Sequence, residues 1–103
     1  MTTINIAKDF SRYPSGRFKK NGNTSGEQFR ELHLIPAISK GDVIVELDGT
    51  IGYGSSFLEE AFGGLVRELN IKGSELLKQI KFISGDDSLI TEIEEYMLQA
   101  KAK

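Results

Sequence analysis

Two adjacent serines, Ser55 and Ser56, follow a glycine-rich stretch in which Gly49, Gly52 and Gly54 are closely spaced. Glycine-rich turns that open a helix can bind a phosphate through backbone N–H groups. This stretch lacks the lysine of a P-loop, and it lacks the third glycine of the dinucleotide-binding fingerprint. The pattern therefore disfavours a nucleotide pocket and leaves the two serine hydroxyls as the groups of interest.

The two serines have two chemical interpretations. The structural one is a helix cap, because Ser56 and Glu59 have the spacing of a capping box, in which each side chain bonds a free backbone N–H group of the other residue. The regulatory one is phosphorylation of Ser55 or Ser56, since a phosphate is tolerated at the positive end of a helix and adds charge that a partner can recognise. The spacing alone favours the cap.

The other reactive side chains give little support for catalysis. The chain contains no cysteine and one histidine, His33, which excludes thiolate chemistry, disulfides and a multi-histidine metal site. Residues Tyr53–Phe57 do not match the G-x-S-x-G turn of serine hydrolases. Glu59 and Glu60 are adjacent in a helix and point in different directions, so they form a poor carboxylate pair. We therefore expect no catalytic activity, no cofactor and no metal site. An enzyme that acts on a phosphate or nucleotide substrate ranks third among the possible functions, after the protein-binding and nucleic-acid-binding modules described below.

A basic segment, Lys8–Lys20, lies near the start of the chain. Residues 1–40 carry seven lysines or arginines against three acids, whereas residues 41–103 carry six against twelve. The five basic residues of the segment, which accompany a single acid, are Lys8, Arg12, Arg17, Lys19 and Lys20. With Phe10, Tyr13 and Phe18 as stacking groups, this segment could bind nucleic acid. A solvated hairpin or loop is the simpler interpretation.

Length and composition predict one domain over residues 1–103. The chain has 103 residues, of which 39% are apolar and 27% charged, close to the averages for folded soluble domains. The absence of cysteine fits a reducing cytoplasm. The first residues show no basic stretch followed by an apolar run. We expect a cytoplasmic protein without a secretory signal or a membrane span.

The hydrophobic pattern of the first half predicts strands and a helix. Thr2–Ala7 alternates apolar and polar residues like a strand with one buried face, and Arg17–Lys20 could pair with it as a hairpin. A capping-box pattern places the start of a helix at Ser25, and Pro36 should kink or end that helix. Val43–Leu47 predicts a central strand, because it is apolar and rich in β-branched residues.

The second helix should begin at Ser55 or Ser56. Its predicted apolar stripe consists of Leu58, Ala61, Phe62, Leu65 and Leu69. Gly63 and Gly64 lie inside this helix, where each costs about 1 kcal/mol relative to alanine. Close packing on the sheet or on another protein should offset that cost.

In the last third of the chain, helices and strands continue to alternate. It predicts a short helix over Ser74–Gln79, a strand over Ile80–Ser84, and a final helix after a turn and cap at Gly85–Ser88. Strands that alternate with helices favour an α/β fold with a small, mostly parallel or mixed sheet and helices packed against it.

Three segments resemble a known family: SGEQFRE at residues 25–31, VIVELDG at 43–49 and GYGSSFLEEAFGGL at 52–65. Together they are similar to the STAS-like domain family of unknown function. That family is in turn similar to the STAS domains of anti-sigma-factor antagonists. The resemblance covers nearly the whole chain, is most specific in GSSFLEEAFGGL, and implies a STAS-like fold.

The resemblance also implies a function. In the antagonists, a strand leads to an Asp-Ser-Ser-Gly turn whose second serine is phosphorylated by a kinase of the histidine-kinase-like ATPase fold. Matching the paired serines implies that Ser56 is the phosphoacceptor, with Gly54 in place of the aspartate and Phe57 in place of the glycine.

The chain is thus expected to be a non-catalytic regulatory module that binds a protein, such as an ATPase of this kind, through the Gly52–Phe62 turn and helix start. The residues expected at the interface are Gly52, Tyr53, Gly54, Ser55, Phe57, Glu59, Glu60, Gly63 and Gly64. A nucleic-acid-binding module that uses the basic segment is the alternative.

Overall fold

A three-stranded parallel sheet forms the centre of the computed structural model, which describes residues 1–102. Its strands are β1 (Thr2–Asn5), β2 (Val43–Glu46) and β3 (Ile80–Ile83), and they lie in the order β1-β2-β3. Both strand pairs are parallel, and their register aligns Ile4 with Val45 and Val45 with Phe82. The sheet is therefore parallel throughout, where the sequence left a mixed sheet open.

The α-helices of the described residues 1–102 are α1 (residues 26–38), α2 (residues 55–69), α3 (Gly73–Leu76) and α4 (Asp87–Gln99). The middle of α1 is a π-helical stretch, Arg30–Leu34, in which the Ile35 N–H donates to the Arg30 carbonyl. This wider turn comes just before Pro36, which has no N–H to donate. The helix therefore continues through Pro36 to Ile38 instead of ending there.

The helices and the sheet share one hydrophobic core. Alternate residues of β2 are buried, and the strand residues in the core are Ile4, Val43, Val45 and Ile80. The predicted stripe of α2 packs in the same core, with four members fully buried and Leu69 partly buried. On the strands, Thr3, Lys81 and Ile83 are exposed. The periodicity of α2 and the alternation of β1 thus correctly predicted buried faces.

The predicted hairpin of the first half is wrong. After β1 the chain makes a π-helical turn at Ile6–Phe10, and a short 3₁₀ turn occupies Lys19–Asn21. The Asn5 side chain accepts from the Lys8 N–H, and the Asp9 carboxylate accepts from the Asn5 N–H at 2.8 Å. These two bonds turn the chain away from the sheet and occupy an N–H that a paired strand would need.

The last third follows the predicted order with shorter elements. The short helix is limited to Gly73–Leu76. The Asp86 side chain accepts from the N–H groups of Ser88 and Leu89, which confirms the predicted cap of α4. Within residues 1–102, no helix combines the length and the hydropathy that crossing a membrane requires.

Candidate functional site

The turn that leads from β2 to α2 is held at both ends by side chains. The Asp48 carboxylate accepts from the Gly85 N–H at 3.1 Å and from the Ser84 hydroxyl at 3.3 Å. The Tyr53 hydroxyl donates to the Leu47 carbonyl at 2.6 Å. Asp48 therefore links this turn to the loop after β3. These contacts fix the position of the residues that open α2.

Ser55 and Ser56 are exposed in the first turn of α2 and do not cap it. The cap residue is Gly54, and no side chain accepts a capping hydrogen bond at this helix start. The predicted capping box between Ser56 and Glu59 is therefore wrong. The reason is that the cap position precedes the first helical residue, Ser55, and Glu59 bonds to arginines elsewhere.

Glu59 and Glu60 belong to a cluster of five charged side chains that joins three parts of the chain. The contacts of Glu59 are with Arg67 Nη1 at 2.7 Å and Arg17 Nη1 at 2.5 Å. Arg30 Nη1 donates to the Glu60 carboxylate at 2.8 Å and to the Glu60 carbonyl at 2.6 Å. Hydrogen bonding from Arg67, and then from Arg17, holds the pKa of Glu59 below its ordinary value. Through these ion pairs, both α1 and the loop that contains Arg17 are joined to α2.

The two glycines inside α2 make room for this cluster. Gly63 and Gly64 are buried, and a Cβ at Gly63 would lie 2.6 Å from Glu59 Oε2. A Cβ at Gly64 would overlap Arg30 Nη1 and lie 3.1 Å from Arg30 Cζ. The unfavourable helix propensity of the two glycines is thus offset inside the chain, by the close approach of charged side chains.

The expected interface residues consequently fall into two groups. Phe57, Gly63 and Gly64 are buried, and Glu60 is 9% exposed and bonded to Arg30, so these residues are not available to a partner in this conformation. Residues that reach the surface are Gly52, Gly54, Ser55 and Ser56, with Tyr53 and Glu59 partly exposed beside them. We call these six residues the serine surface.

Two large apolar side chains that the sequence did not connect lie next to the serine surface. Tyr13 is 62% exposed and Ile51 is 72% exposed. They line one groove, and the Ile51 N–H donates to the Arg12 carbonyl at 2.9 Å. An isoleucine in a glycine-rich turn was a signal for an exposed apolar contact, but nothing local indicated that Tyr13 would lie beside it.

Part of the basic segment is engaged in contacts within the fold. Arg17 is engaged with Glu59 and Glu60, and Lys19 pairs with Glu31. Of the three expected stacking groups, Phe10 packs against Phe29 at a ring separation of 5.2 Å and belongs to the margin of the core. The exposed basic and aromatic members of the segment are Lys8, Arg12, Lys20, Tyr13 and Phe18, together with the ion-paired Lys19.

A separate cavity lies at the other end of the sheet. It measures about 560 Å³ and is lined by residues at the amino ends of β2 and β3, including Asp42 and Gln79, and by Ile90 and Glu94 of α4. The serine surface follows the carboxyl end of β2, so this cavity is not part of it. Among residues 1–102, no three histidine or acidic side chains are grouped as metal ligands would be.

Comparison with known proteins gives one match. A sequence model of a protein family described as a STAS-like domain of unknown function matches residues 25–89. The matched part runs from the cap of α1 to the first turn of α4 and includes the serine surface. Neither the curated proteins nor the solved structures give a significant match. The family comparison confirms the resemblance and the STAS-like α/β fold that the sequence predicted.

Proposed function

Because the chain belongs to the family of STAS-like domains of unknown function, we propose that it is a non-catalytic regulatory domain that binds another protein through the serine surface. The observation that carries this proposal is the exposure of Ser55 and Ser56 without a capping role. The turn before them is held by Asp48 and Tyr53, so a partner meets a preformed surface. Preorganisation of this kind reduces the entropic cost of binding.

Phosphorylation of Ser56 is the proposed switch. A kinase of the histidine-kinase-like ATPase fold would transfer the γ-phosphate of ATP to the Ser56 hydroxyl, with loss of the hydroxyl proton and release of ADP. The phosphate would lie in the first turn of α2, where the helix dipole favours negative charge. It would therefore change the charge of the serine surface without unfolding α2.

Support for this arrangement comes from what Ser56 does not do in the fold. Its side chain is exposed and accepts no capping bond, so a modification there costs no internal contact. The nucleic-acid alternative receives less support, because two of its five basic residues are engaged in ion pairs and Phe10 packs at the margin of the core.

Site-specific photo-cross-linking in the host organism tests the surface. A photoreactive amino acid at position 56 should give a cross-linked protein that the same amino acid at position 98 does not give. Leu98 is the matched control, because it is 57% exposed and lies on α4. Absence of any cross-link specific to position 56 would remove the serine surface from the proposal.

Binding of the purified partner then tests the switch. Ser56→Ala should bind like the wild type, whereas Ser56→Asp should bind at least about tenfold more weakly while its thermal midpoint stays close to that of the wild type. The mass of the protein recovered from the host reports whether Ser56 carries a phosphate. Wild-type affinity of Ser56→Asp, together with no phosphorylated protein, would refute the switch and leave the binding role.

A further inference from the structure

A shallow groove of about 280 Å³ connects the basic segment to the serine surface. The six residues that line it are Tyr13, Pro14, Ser15, Ile51, Gly52 and Gly54. The backbone hydrogen bond from Ile51 to Arg12 holds the two walls together at 2.9 Å. The groove therefore belongs to one continuous surface with the start of α2.

The groove has the size and the chemistry to receive one side chain of a protein. No acidic or basic side chain lines it, and Tyr13 and Ile51 are both more than half exposed. Its volume lies below the range of about 300–1,000 Å³ that is usual for small-molecule pockets. Tyr13 and Ile51 therefore offer a small exposed apolar contact surface at this point.

Positive charge lies at one end of the groove. Gly54 lines the groove and is also the cap residue of α2, where no side chain satisfies the first N–H groups. Arg12 is exposed beside Tyr13 and forms no ion pair with any of residues 1–102. Glu59 and Glu60 are both engaged by arginines. Asp48, which lies in the same turn as Gly54, bonds Ser84 and Gly85 of the loop after β3.

We infer that this groove is the docking site for a partner segment in which an aliphatic or aromatic residue is flanked by Asp or Glu. The apolar residue lies between Tyr13 and Ile51, and the carboxylate faces Arg12 and the open N–H groups of α2. This inference rests on the proposed protein-binding function and specifies the chemistry of the partner. It also gives the loop of the basic segment a role that is distinct from nucleic-acid binding.

A peptide-display experiment on the full chain tests this inference. A random peptide library is selected on the wild-type protein, and enriched peptides are synthesised and titrated by fluorescence anisotropy. The test variant is Ile51→Ser and the matched control is Leu98→Ser, since both positions are exposed aliphatic residues. Both variants should fold, because neither side chain is buried in the core.

Enriched peptides should share an apolar residue next to at least one Asp or Glu. Ile51→Ser should weaken their binding about tenfold or more, as expected for loss of a buried aliphatic contact, and Leu98→Ser should not change it. Replacing the peptide carboxylate by its amide should weaken binding about two- to fivefold at low salt. This second effect should shrink as the ionic strength rises.

Ser56→Asp gives an independent test of the charge. The added carboxylate lies in the first turn of α2 and should weaken the acidic peptides, while leaving the amide forms of the same peptides nearly unchanged. Equal effects on both forms would contradict the assignment of the carboxylate to the start of α2.

The outcomes separate this inference from the proposed function. Peptides that are basic, that bind Ile51→Ser as tightly as the wild type, or that fail to enrich at all would overturn the inference. Such results, combined with a specific cross-link at position 56, would leave the protein-binding function standing with a different partner chemistry. Acidic apolar peptides that depend on Ile51, combined with no cross-link at position 56, would instead confirm the groove and place Ser56 outside the interface.

Discussion

Replacing Gly64 by alanine should destabilise the protein, although alanine is the better helix former. Helix propensity alone favours alanine over glycine by about 1 kcal/mol. At this position the added Cβ would overlap Arg30 Nη1 and would lie 3.1 Å from Arg30 Cζ. The Arg30 side chain is 6% exposed, so it has no solvent into which it can move freely.

The size of the effect follows from the bonds that Arg30 must give up. Its Nη1 atom donates to the Glu60 carbonyl at 2.6 Å and to the Glu60 carboxylate at 2.8 Å. Breaking a buried ion pair costs about 3–5 kcal/mol. After the gain in helix propensity is subtracted, Gly64→Ala should lower the free energy of unfolding by about 2–4 kcal/mol. We expect a value near 2 kcal/mol, because Glu60 keeps its contact with Arg17 at 3.2 Å and is not left as an unpaired buried charge.

Urea denaturation and thermal unfolding measure this change. The thermal midpoint should fall by on the order of 10 °C for a domain of this size. Gly63→Ala is the control. Its Cβ would approach the tip of Glu59, whose side chain is 25% exposed and can turn toward solvent, and would lie at an ordinary contact distance of 3.5 Å from Arg67 Nη1. We expect Gly63→Ala to change the unfolding free energy by less than about 1 kcal/mol, because relaxation of Glu59 and helix propensity oppose each other.

A double-mutant cycle with Arg30→Met identifies the cause. In that background the space beside residue 64 holds no guanidinium, so Gly64→Ala should become neutral or stabilising by up to about 1 kcal/mol. If Gly64→Ala raises the unfolding free energy in the wild-type background, the proposed clash between residue 64 and Arg30 is refuted. Additive effects of the two substitutions would refute it equally, because additivity would mean that residue 64 and Arg30 do not interact.

Three further outcomes are expected. Ser25→Ala should lower the unfolding free energy by about 1–2 kcal/mol, because the buried Ser25 hydroxyl caps α1. In the same urea titration, the unfolding free energy of Ser56→Ala should stay within about 0.5 kcal/mol of the wild-type value, because Ser56 caps no helix. Glu59→Gln should make the unfolding free energy less dependent on pH in acid. Hydrogen bonding from Arg67 lowers the pKa of Glu59. The stabilisation by the Glu59 carboxylate is therefore complete above the ordinary glutamate pKa of about 4.3 and is lost as the pH falls through the lowered pKa. Urea midpoints measured at decreasing pH should therefore fall more steeply for the wild type. The basic segment should form no micromolar complex with single-stranded or duplex DNA at physiological salt in an electrophoretic shift assay, and a salt-sensitive complex lost on replacing its basic residues would contradict this.

Local patterns predicted most of the fold because they act over one or two turns of chain. Alternation in the first strand and the apolar stripe of α2 identified buried faces, and the caps Ser25 and Asp86 bond groups within three residues of themselves. The family resemblance identified the same fold from three short segments. Errors arose where a side chain had a choice of partners. The Asp9 carboxylate bonds the end of β1, and this contact replaced the predicted hairpin.

The site shows the limit of such local reasoning. Spacing placed a capping box at Ser56 and Glu59, but Glu59 bonds Arg17, which is 42 residues away in the chain. A carboxylate that can form a charge-assisted hydrogen bond with a distant arginine does so in preference to a weaker bond with a nearby backbone N–H group. Residue spacing along the sequence does not show which of the two partners is within reach. The same cluster explains why Gly63 and Gly64 lie in a helix that they weaken.

The sequence by itself determined the three strands, the main helices, the buried face of α2 and the family, because periodicity, capping chemistry and short motifs are properties of neighbouring residues. Only the tertiary structure decided that Ser55 and Ser56 are exposed and that Tyr13 lies beside Ile51. Those relations depend on how the loop after β1 packs against the turn after β2, through backbone bonds and ion pairs between distant segments. Their physical reason is competition among long-range contacts, which is resolved only when the whole chain has folded.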